Sequence, residues 1–534
     1  MTVLRRFSRA RRWVGYAVLF ALVVVIVVHG RAVLANLDDE SASTAHRTGK
    51  AVALAPPGSD VPTPSGATAV PREGPTFSAL GDAALAALDE TYYVAPGGWR
   101  DCPSPICVTR NHDWGSDALT YVLALRQRLH PDVANTVKLA ALAHTERLYL
   151  PPCDGRSCTL WSDVPMWDSI AASREASALP SDPEPASKAA RAFWAIEGSN
   201  VYDRGACPSV RYQRPFGRGD KLKTLETDSN GVKAALLLYE ATHQPRYLAV
   251  ARTRYAAIRR WFLDPTLPLY SVYVFDDGKH CWQVPHRYFA SVNGNMIWDG
   301  LHLARATGET RYRDEARETA FAVENELNDP RGIFADLQAE NDIEEPLIEA
   351  MNELAQIDRS ADARAWILRN AAVAYGARRE DGAYGRFFDG PRPVATVTAW
   401  QTNGGLALEV AAAGLAPDDR AATSAWTGAR YVSDNASGFP THVRFRGSGI
   451  ALLGTIGDRC CEPGHARIFV DGIETTSRIG TWQNKSSSGR RFPGSVLFAW
   501  RWPTAGEHDV ALYPGGYNAK EGGGFLHLAG YLVK

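Results

Sequence analysis

Apolar residues recur every three to four positions from about residue 76 to residue 413. One run has the spacing i, i+3, i+4, i+7, which places its side chains on one face of a helix: Val232, Ala235, Leu236 and Tyr239. A second run follows the same rule: Leu248, Ala251, Tyr255, Ile258 and Phe262. We predict roughly ten or eleven helices of this kind over residues 76–414.

One helical hairpin occurs twice in this region. Residues 238–252 and residues 303–317 share seven identical positions at an offset of 65 residues. Each copy has a short turn, 242–246 or 307–311, followed by a Tyr and an Ala that should lie on the buried face of the next helix. Stacked hairpins must close into a ring or be capped to hide their last apolar face. The predicted fold is therefore an (α/α)6 toroid of about six hairpins.

The pattern changes to alternation after residue 415. Five segments alternate apolar and polar positions over the length of a strand, beginning at His442, Ala466, Val496, His508 and Phe525. Asp471-Gly472 follows one of them and is typical of a hairpin turn. Short strands at this spacing predict a C-terminal antiparallel β-sandwich over residues 415–534.

The chain before residue 76 is predicted to lie outside both domains. Residues 1–12 hold five arginines and precede the uncharged apolar run 13–28. We predict an Arg-rich cytoplasmic tail (1–12), a transmembrane signal anchor (13–30) and a Pro/Gly/Ser-rich flexible linker (31–75), which puts both domains outside the cytoplasm. The alternative is a cleaved signal peptide, since residues 33–35 offer a cleavage site, and the protein would then be secreted.

Charge and composition limit the partners. The formal net charge is −1 with both signs interspersed, so we expect no basic surface that would hold nucleic acid. The sequence contains no Gly-rich phosphate loop and no His-Glu-x-x-His pair, and we expect neither an organic cofactor nor a metal. The oligomeric state stays open.

Eight cysteines in an exported chain are expected to be oxidised. Two close pairs suit local bridges, Cys102 with Cys107 and Cys153 with Cys158. Cys207 with Cys281 would then close a long loop. Cys460 and Cys461 are adjacent, so they form either a strained vicinal bridge or free or intermolecular thiols.

Three motifs follow one another in the helical region. Thr227-Asp-Ser-Asn-Gly precedes the first hairpin copy, a Val-Tyr-Val-Phe-Asp-Asp-Gly loop ending at Gly278 precedes Cys281, and Ser291-Val-Asn-Gly opens the second copy. In this order they resemble glycoside hydrolase family 76, the α-1,6-mannanases, over roughly two hundred residues. The resemblance implies an α/α toroid that hydrolyses a mannan-type polysaccharide.

The resemblance also implies two adjacent catalytic aspartates at a helix start. The matching positions read Trp161-Ser162-Asp163, so a serine replaces the implied nucleophile and Asp163 keeps the place of the acid/base. A retaining glycosidase needs two carboxyl groups about 5–5.5 Å apart, because one attacks the anomeric carbon while the other protonates the leaving oxygen. Ser162 cannot easily attack in this way.

Three explanations remain at this point. In the first, Asp163 is the general acid and a more distant carboxylate positions a water, as in inverting enzymes with the two groups about 6.5–9.5 Å apart. The candidates for that carboxylate are Asp228, Asp276 and Asp277. In the second, Asp276-Asp277 is itself the catalytic pair, and in the third, catalysis is lost. Each residue also has a structural interpretation, Asp163 as a helix N-cap and Asp276-Asp277-Gly278 as a plain turn.

Substrate contacts are predicted near these motifs. Sugar rings stack on indole faces, although most tryptophans at helical spacing belong to a core, and side chains that start the inner helices of a toroid tend to line its mouth. The predicted set is Trp161, Trp167, Asp168, Asn230, Trp282, Asn293 and Trp298.

The C-terminal region carries a second resemblance. Arg467-Ile-Phe-Val-Asp-Gly and the later Pro503-Thr-Ala-Gly-Glu-His-Asp-Val are similar to galactose-binding-like carbohydrate modules. Many such modules bind glycans and many are only structural. The aromatic candidates for glycan contact are Trp482, Trp500, Trp502 and Tyr517.

The sequence thus predicts a cell-envelope glycan hydrolase or transglycosidase of the mannanase type. One alternative is a non-catalytic glycan-binding envelope protein, which the missing aspartate favours. Another is a polysaccharide lyase on the same scaffold, with its base and its cation among His286, Arg287 and Tyr288. Fold analogy alone supports the lyase.

Overall fold

The computed structural model describes residues 73–534 except 101, 104–106, 108–113, 146–147, 149–160, 215–220, 286, 336–343, 394–398, 434–440, 458–465, 480–490 and 515–527. The predicted tail and anchor, residues 1–30, and the linker as far as residue 72 lie outside these residues. The same holds for Cys153, Cys158, Cys460 and Cys461. No helix among the described residues is long and apolar enough to cross a membrane.

Twelve α-helices occupy the described residues from 77 to 415. They are α1 (Phe77–Tyr92), α2 (Trp114–Leu129), α3 (Val133–Thr145), α4 (Val164–Ala178), α5 (Pro183–Glu197), α6 (Leu225–Thr242), α7 (Pro245–Trp261), α8 (Ala290–Thr307), α9 (Thr310–Glu326), α10 (Glu345–Gln356), α11 (Ala361–Ala374) and α12 (Asn403–Leu415). The sequence predicted roughly ten or eleven.

The even-numbered helices form a closed inner ring. Each of α2, α4, α6, α8, α10 and α12 packs against the next, and α12 packs against α2 to complete the circle. The odd-numbered helices form an outer layer, and each of them packs on at least one inner helix. This arrangement confirms the predicted (α/α)6 toroid.

The difference between inner and outer helices follows from their sequences. Every residue of α6 from Leu225 to Leu238 is buried, because an inner helix has neighbours on all sides. The outer helix α7 buries a single stripe that includes Tyr247 and Ala251. The turn before it ends α6 with His243 in the left-handed conformation (φ 52°), as Gly308 (φ 76°) ends α8. The predicted hairpins are therefore confirmed.

Short turns join α2, α4, α6, α8 and α10 each to the following outer helix, and long loops lead into the inner helices. The N-terminal ends of the inner helices and the long loops consequently share one end of the toroid, which we call the mouth. Two of these loops pair in a small antiparallel sheet, β1 (Leu222–Thr224), β2 (Tyr273–Asp276) and β3 (Cys281–Gln283). The sequence analysis did not predict this sheet.

Two disulfides hold the mouth loops, and both match predicted pairings. Cys207 bonds to Cys281, which ties the loop before α6 to β3, and Cys102 bonds to Cys107 in the loop before α2. The described part of the chain has no free cysteine. The confirmed Cys207–Cys281 bridge closes a loop with a sequence separation of 74 residues.

Ion pairs join five of the six inner helices across the interior of the ring. Glu349 of α10 accepts a hydrogen bond from Lys233 of α6 at 2.7 Å and pairs with Arg174 of α4. Glu353, one turn further along α10, pairs with Arg128 of α2 at 2.5 Å and with His302 of α8 at 2.7 Å. We call these six residues the interior network. Burial alone would raise the pKa of Glu349, but Arg174, Lys233 and Arg128 lower it to about 2.

The C-terminal strands form one antiparallel sheet in the order β4-β9-β5-β8-β6-β7. The strands are β4 (Arg430–Val432), β5 (Thr441–Gly457), β6 (Ala466–Val470), β7 (Ile473–Ile479), β8 (Arg491–Pro514) and β9 (Leu528–Val533). The sequence predicted a β-sandwich with the segments at Val496 and His508 as separate strands. Both belong to β8, whose pairing with β5 breaks at a bulge between Gly447 and Gly449 and continues beyond it.

The sheet packs on the mouth side of the toroid. Arg501 of β8 lies 3.5 Å from Asp389, which is in the loop before α12 and also pairs with Arg331 at 2.5 Å. Nearby, the rings of Phe387 and Phe498 pack edge to face with their centroids 6.3 Å apart. The sheet therefore braces the loops that frame the mouth.

We expect Lys233→Met to lower the free energy of unfolding by about 3–5 kcal/mol, because it leaves a buried carboxylate with less positive charge around it. Urea denaturation followed by circular dichroism measures the change. Arg252→Met is the control, since it breaks an exposed pair with Glu309 and should cost less than about 1 kcal/mol. Equal losses in the two variants would contradict a structural role for the interior network.

Candidate functional site

Asp163 lies at the start of α4, in the N-cap position at the mouth. Pro165 occupies the first turn, as expected at a helix start, but the side chain of Asp163 makes no capping hydrogen bond. The N-cap interpretation of its carboxylate is therefore wrong. The side chain is half-buried, and beside it Trp161 keeps 39% of its surface exposed, with the Arg214 guanidinium 5.0 Å from the ring centroid.

Ser162 is fully buried, and its hydroxyl has two close polar partners. Its hydroxyl donates to the carbonyl oxygen of Tyr212 at 2.7 Å and lies 2.6 Å from the hydroxyl of Thr227 on α6. A carbonyl oxygen as close partner favours a donor and repels a carboxylate. This environment explains why the position holds a serine and removes it as a nucleophile.

Glu226, next to Thr227 at the start of α6, is a carboxyl group that the sequence analysis missed. It is buried, and its Oε1 accepts a hydrogen bond of 2.5 Å from the hydroxyl of Ser291 on α8. Its Oε2 is buried and has no hydrogen-bond partner among the described residues. Three successive inner helices thus bring Asp163, Glu226 and Ser291 to one part of the mouth.

The surroundings of Glu226 at the mouth keep its carboxyl group protonated at neutral pH. Burial raises the pKa of Glu226 to about 8; the hydrogen bond from Ser291 works against this rise, and the charge on Asp163 adds to it. The charge on Asp163 also contributes, after burial, to a raised pKa of Tyr202. The charge of the Asp163 carboxylate therefore acts on both Glu226 and Tyr202.

Other polar groups at the mouth are buried without hydrogen-bond partners in the described part of the chain. They are both carboxyl oxygens of Glu345, the hydroxyl of Tyr121 and both side-chain polar atoms of Asn403. Burial raises the pKa of Glu345 well above its usual value, against the charge of Lys233. Buried polar groups are nearly always paired, so we infer that water or a ligand completes these groups.

The other carboxylates predicted as catalytic bond to different parts of the structure from Asp163. Asp228 is two residues after Glu226, so its side chain leaves α6 on nearly the opposite side. It accepts a hydrogen bond from the backbone N–H of Arg211 at 2.8 Å and lies 3.9 Å from Arg254 of the outer helix α7. Burial raises the pKa of Asp228. Its contacts are those of a residue that holds the loop before α6.

Asp276 and Asp277 lie in a turn, as their structural interpretation predicted. Asp276 accepts from the backbone N–H groups of Ala206, Cys207 and Gly278, which lower its pKa although burial alone would raise it. Asp277 accepts from the N–H groups of Lys279 and His280, and its pKa is lowered. Both carboxylates are occupied by backbone donors and belong to the scaffold of the small sheet.

Five of the seven predicted substrate residues are buried: Trp167, Asp168, Asn230, Asn293 and Trp298. The ring of Trp298 stacks on His302 at 3.4 Å, and its N–H donates to Glu353 of the interior network. The side-chain amide of Asn293 accepts from the backbone N–H of Tyr270 and donates to the carbonyl oxygen of the same residue. Trp161 is exposed at the mouth, and the half-buried Trp282 stacks on Phe275 at 4.4 Å.

The remaining aromatic and lyase candidates are engaged elsewhere or lie outside the described residues. Trp502 is buried, stacks on His508 at 3.8 Å and donates to Asp471, and Trp500 is half-buried. Tyr288 donates to Asp264 at 2.6 Å, so its hydroxyl already has an acceptor. Trp482, Tyr517 and His286 are not among the described residues.

A signal for Glu226 was present in the sequence. Thr224 caps α6 by accepting from the N–H of Glu226, so the helix begins at Leu225 and Glu226 lies in its first turn. A cap residue followed by an acidic residue marks a helix start, and inner helices start at the mouth. The proximity of Asp163 could not be found this way, because it depends on the closure of the ring.

Comparison with known proteins gives matches among solved structures only. No protein-family model matches the chain, and no curated protein matches its sequence. A structure of the α-1,6-mannanase GH76A of Salegentibacter sp. HEL1_6, an inactive variant with two consecutive aspartates changed to asparagine and α-1,6-mannotriose bound, aligns with a TM-score of 0.55 and 19% identity. The alignment covers 64% of this chain and 99% of that one.

Two further solved structures have the same fold. A family 76 glycoside hydrolase from a bovine Bacteroides thetaiotaomicron strain aligns with a TM-score of 0.54 and 14% identity, over 63% of this chain and 77% of that one. A family 76 mannosidase from Bacteroides thetaiotaomicron VPI-5482 aligns with a TM-score of 0.54 and 13% identity, over 64% and 98%. At these identities the likeness establishes a shared helical toroid.

We expect Ser162→Asp to be more destabilising than Ser162→Ala. Loss of the hydroxyl should cost about 1–3 kcal/mol, because the Tyr212 carbonyl loses its donor. A carboxylate in its place adds the repulsion of that oxygen and its own desolvation, so we expect a loss of at least about 3 kcal/mol. Urea unfolding of both variants tests this, and an aspartate variant as stable as wild type would contradict the assigned environment.

We expect Glu226→Gln to change how stability depends on pH. The proton on Glu226 is held more tightly in the folded chain, so its stabilisation is complete below about pH 4.5 and is lost as the pH rises through about 8. Glutamine does not titrate. Between pH 5 and pH 8 wild type should therefore lose on the order of 3 kcal/mol relative to the variant, about 1.4 kcal/mol per pH unit. Urea midpoints across this range measure it, and a constant difference would contradict the raised pKa.

Proposed function

We propose that this protein is a glycoside hydrolase that acts on a mannan-type polysaccharide. The shared toroid supports this proposal, since the solved structures with this fold include α-1,6-mannanases, one of them bound to α-1,6-mannotriose. A fold alone does not carry a function, so the residues of the mouth must supply the argument.

The observation that carries the proposal is the carboxylate of Asp163. It stands at the start of an inner helix, is not used as a cap, and has an exposed indole, Trp161, beside it. The positive end of a helix favours a carboxylate, and an indole face binds a sugar ring. Glycoside hydrolysis uses two carboxyl groups that flank the glycosidic bond, and Asp163 beside an aromatic platform supplies one of them.

We further propose that both domains work outside the cytoplasm, held at the cell envelope by the N-terminal segment or secreted. The bridges Cys102–Cys107 and Cys207–Cys281 support this, because disulfides persist in oxidising compartments. Glycan binding by the C-terminal sheet stays a prediction. Two of its four candidate aromatics are packed, and the other two lie outside the described residues.

A second candidate function is glycan binding without hydrolysis. The buried hydroxyl of Ser162 favours it, because the position that the family resemblance assigns to a nucleophile is occupied by a side chain that donates to a backbone carbonyl. In that case Trp161 and the mouth carboxyl groups would bind the sugar and leave its glycosidic bond intact.

We expect the purified exported part of the chain, from residue 51 onward, to release reducing ends from α-1,6-mannan, and Asp163→Asn to lose at least about 10²-fold in kcat. A reducing-sugar assay on α-1,6-mannan and on whole envelope polysaccharides measures this. Asp277→Asn is the matched control, since it changes a carboxylate bound to backbone donors in a turn and should keep wild-type activity. If wild type releases no sugar yet binds the polysaccharide, the glycan-binding candidate replaces the hydrolase.

A further inference from the structure

The geometry points to Glu226 as the proton donor of the site, with Asp163 as its partner carboxylate in place of an adjacent pair. This assignment rests on the proposed hydrolase function. Asp163 is the N-cap residue of α4, Glu226 lies in the first turn of α6, and the two helices are neighbours in the ring.

Ser162 and Thr227 fix the two helix starts to each other. Their hydroxyls lie 2.6 Å apart, and each is the chain neighbour of one of the carboxyl residues, Asp163 or Glu226. Substitution of the serine would therefore disturb the spacing of the carboxyl groups. In this arrangement Ser162 is a positioning residue and has no part in bond making.

The hydrogen bond from Ser291 determines which oxygen of Glu226 carries the proton. Ser291 donates to Oε1, so that oxygen acts as an acceptor and the proton lies on Oε2. Oε2 has no partner among the described residues, and a buried hydroxyl without an acceptor is costly. The glycosidic oxygen of a bound sugar would supply the missing acceptor.

Ser162 stands where the family resemblance places a nucleophile, and its hydroxyl donates to a backbone carbonyl, so we assign the attack to a water, as in inverting glycosidases. Oε2 of Glu226 gives its proton to the glycosidic oxygen as the bond from that oxygen to the anomeric carbon breaks. A water attacks the same carbon from the opposite face and passes a proton to Asp163, which leaves both products neutral and the anomeric configuration inverted.

The test compares two leaving groups. Two aryl glycosides are built on the mannan oligosaccharide that wild type cleaves, one with a phenol leaving group and one with a dinitrophenol. A dinitrophenolate leaves without a proton, whereas a phenolate needs one. For Glu226→Gln we expect kcat to fall about 10²–10⁴-fold with the phenyl substrate and less than about 10-fold with the dinitrophenyl substrate. Glutamine can keep the hydrogen bond from Ser291, so the fold should be retained.

Glu324→Gln is the matched control. Glu324 is a half-buried carboxyl on the outer helix α9, and burial raises its pKa to about 7, so the substitution is chemically the same but far from the mouth. It should leave both rates unchanged. If Glu226→Gln does not fold, Glu226→Asp is compared in its place, since it keeps the acid but withdraws it from the substrate.

The outcomes separate the two proposals. Equal losses on both substrates, or no loss on either, would overturn the proton-donor assignment while hydrolysis by wild type stands. An NMR spectrum of the first product with retained anomeric configuration would overturn the pairing with Asp163 through a water. A wild type that cleaves neither the glycosides nor mannan would remove the proposed function, and this assignment with it.

Discussion

The toroid depends on the pairing of charges in a place that water does not reach. Six helices can close into a ring only if each of them is buried on nearly all sides, yet α10 brings Glu349 and Glu353 into the interior. Cations from three other inner helices, together with His302, surround these two carboxylates. Since an unpaired buried charge is far more costly than a paired one, the ring is held to one arrangement of its helices.

The inner helices carry different electrostatic conditions at their starts and around the interior network. In that network, cations lower the pKa values of Glu349 and Glu353, and each of these two groups has several partners. At the mouth, the pKa values of Glu226 and Glu345 are raised by burial, and several of their oxygens have no partner in the described part of the chain. The paired interior gives the rigidity that allows unpaired groups to persist at the helix starts.

Sequence patterns predicted the features that depend on neighbours in the chain. The hairpin turns at His243 and Gly308, the strand Ala466–Val470 with its Asp471-Gly472 turn, and the two described disulfides were all foreseen. Each of them follows from local spacing or from cysteine spacing in a chain expected to be oxidised. The toroid could be inferred because repeated hairpins with buried faces admit few closed packings.

Features that depend on ring closure were not foreseen. The start of α4 meets the start of α6 through the hydroxyls of Ser162 and Thr227, which are 65 residues apart in the chain, and no local pattern encodes that contact. Trp167 and Trp298 were considered as sugar platforms but lie in the core, because apolar residues on an inner helix are covered on every side. The small sheet at the mouth was missed since its three strands are only three or four residues long.

Asp389 links the stability of the two domains. It receives Arg331 from the toroid and Arg501 from the sheet, and its carbonyl accepts the N–H of Trp426 in the segment that joins them. A toroid cut off after α12 would keep Asp389 without Arg501 and would present Phe387 to water. Although the pattern of the sequence changes near residue 415, we expect the two domains to unfold together, because these contacts cross that boundary.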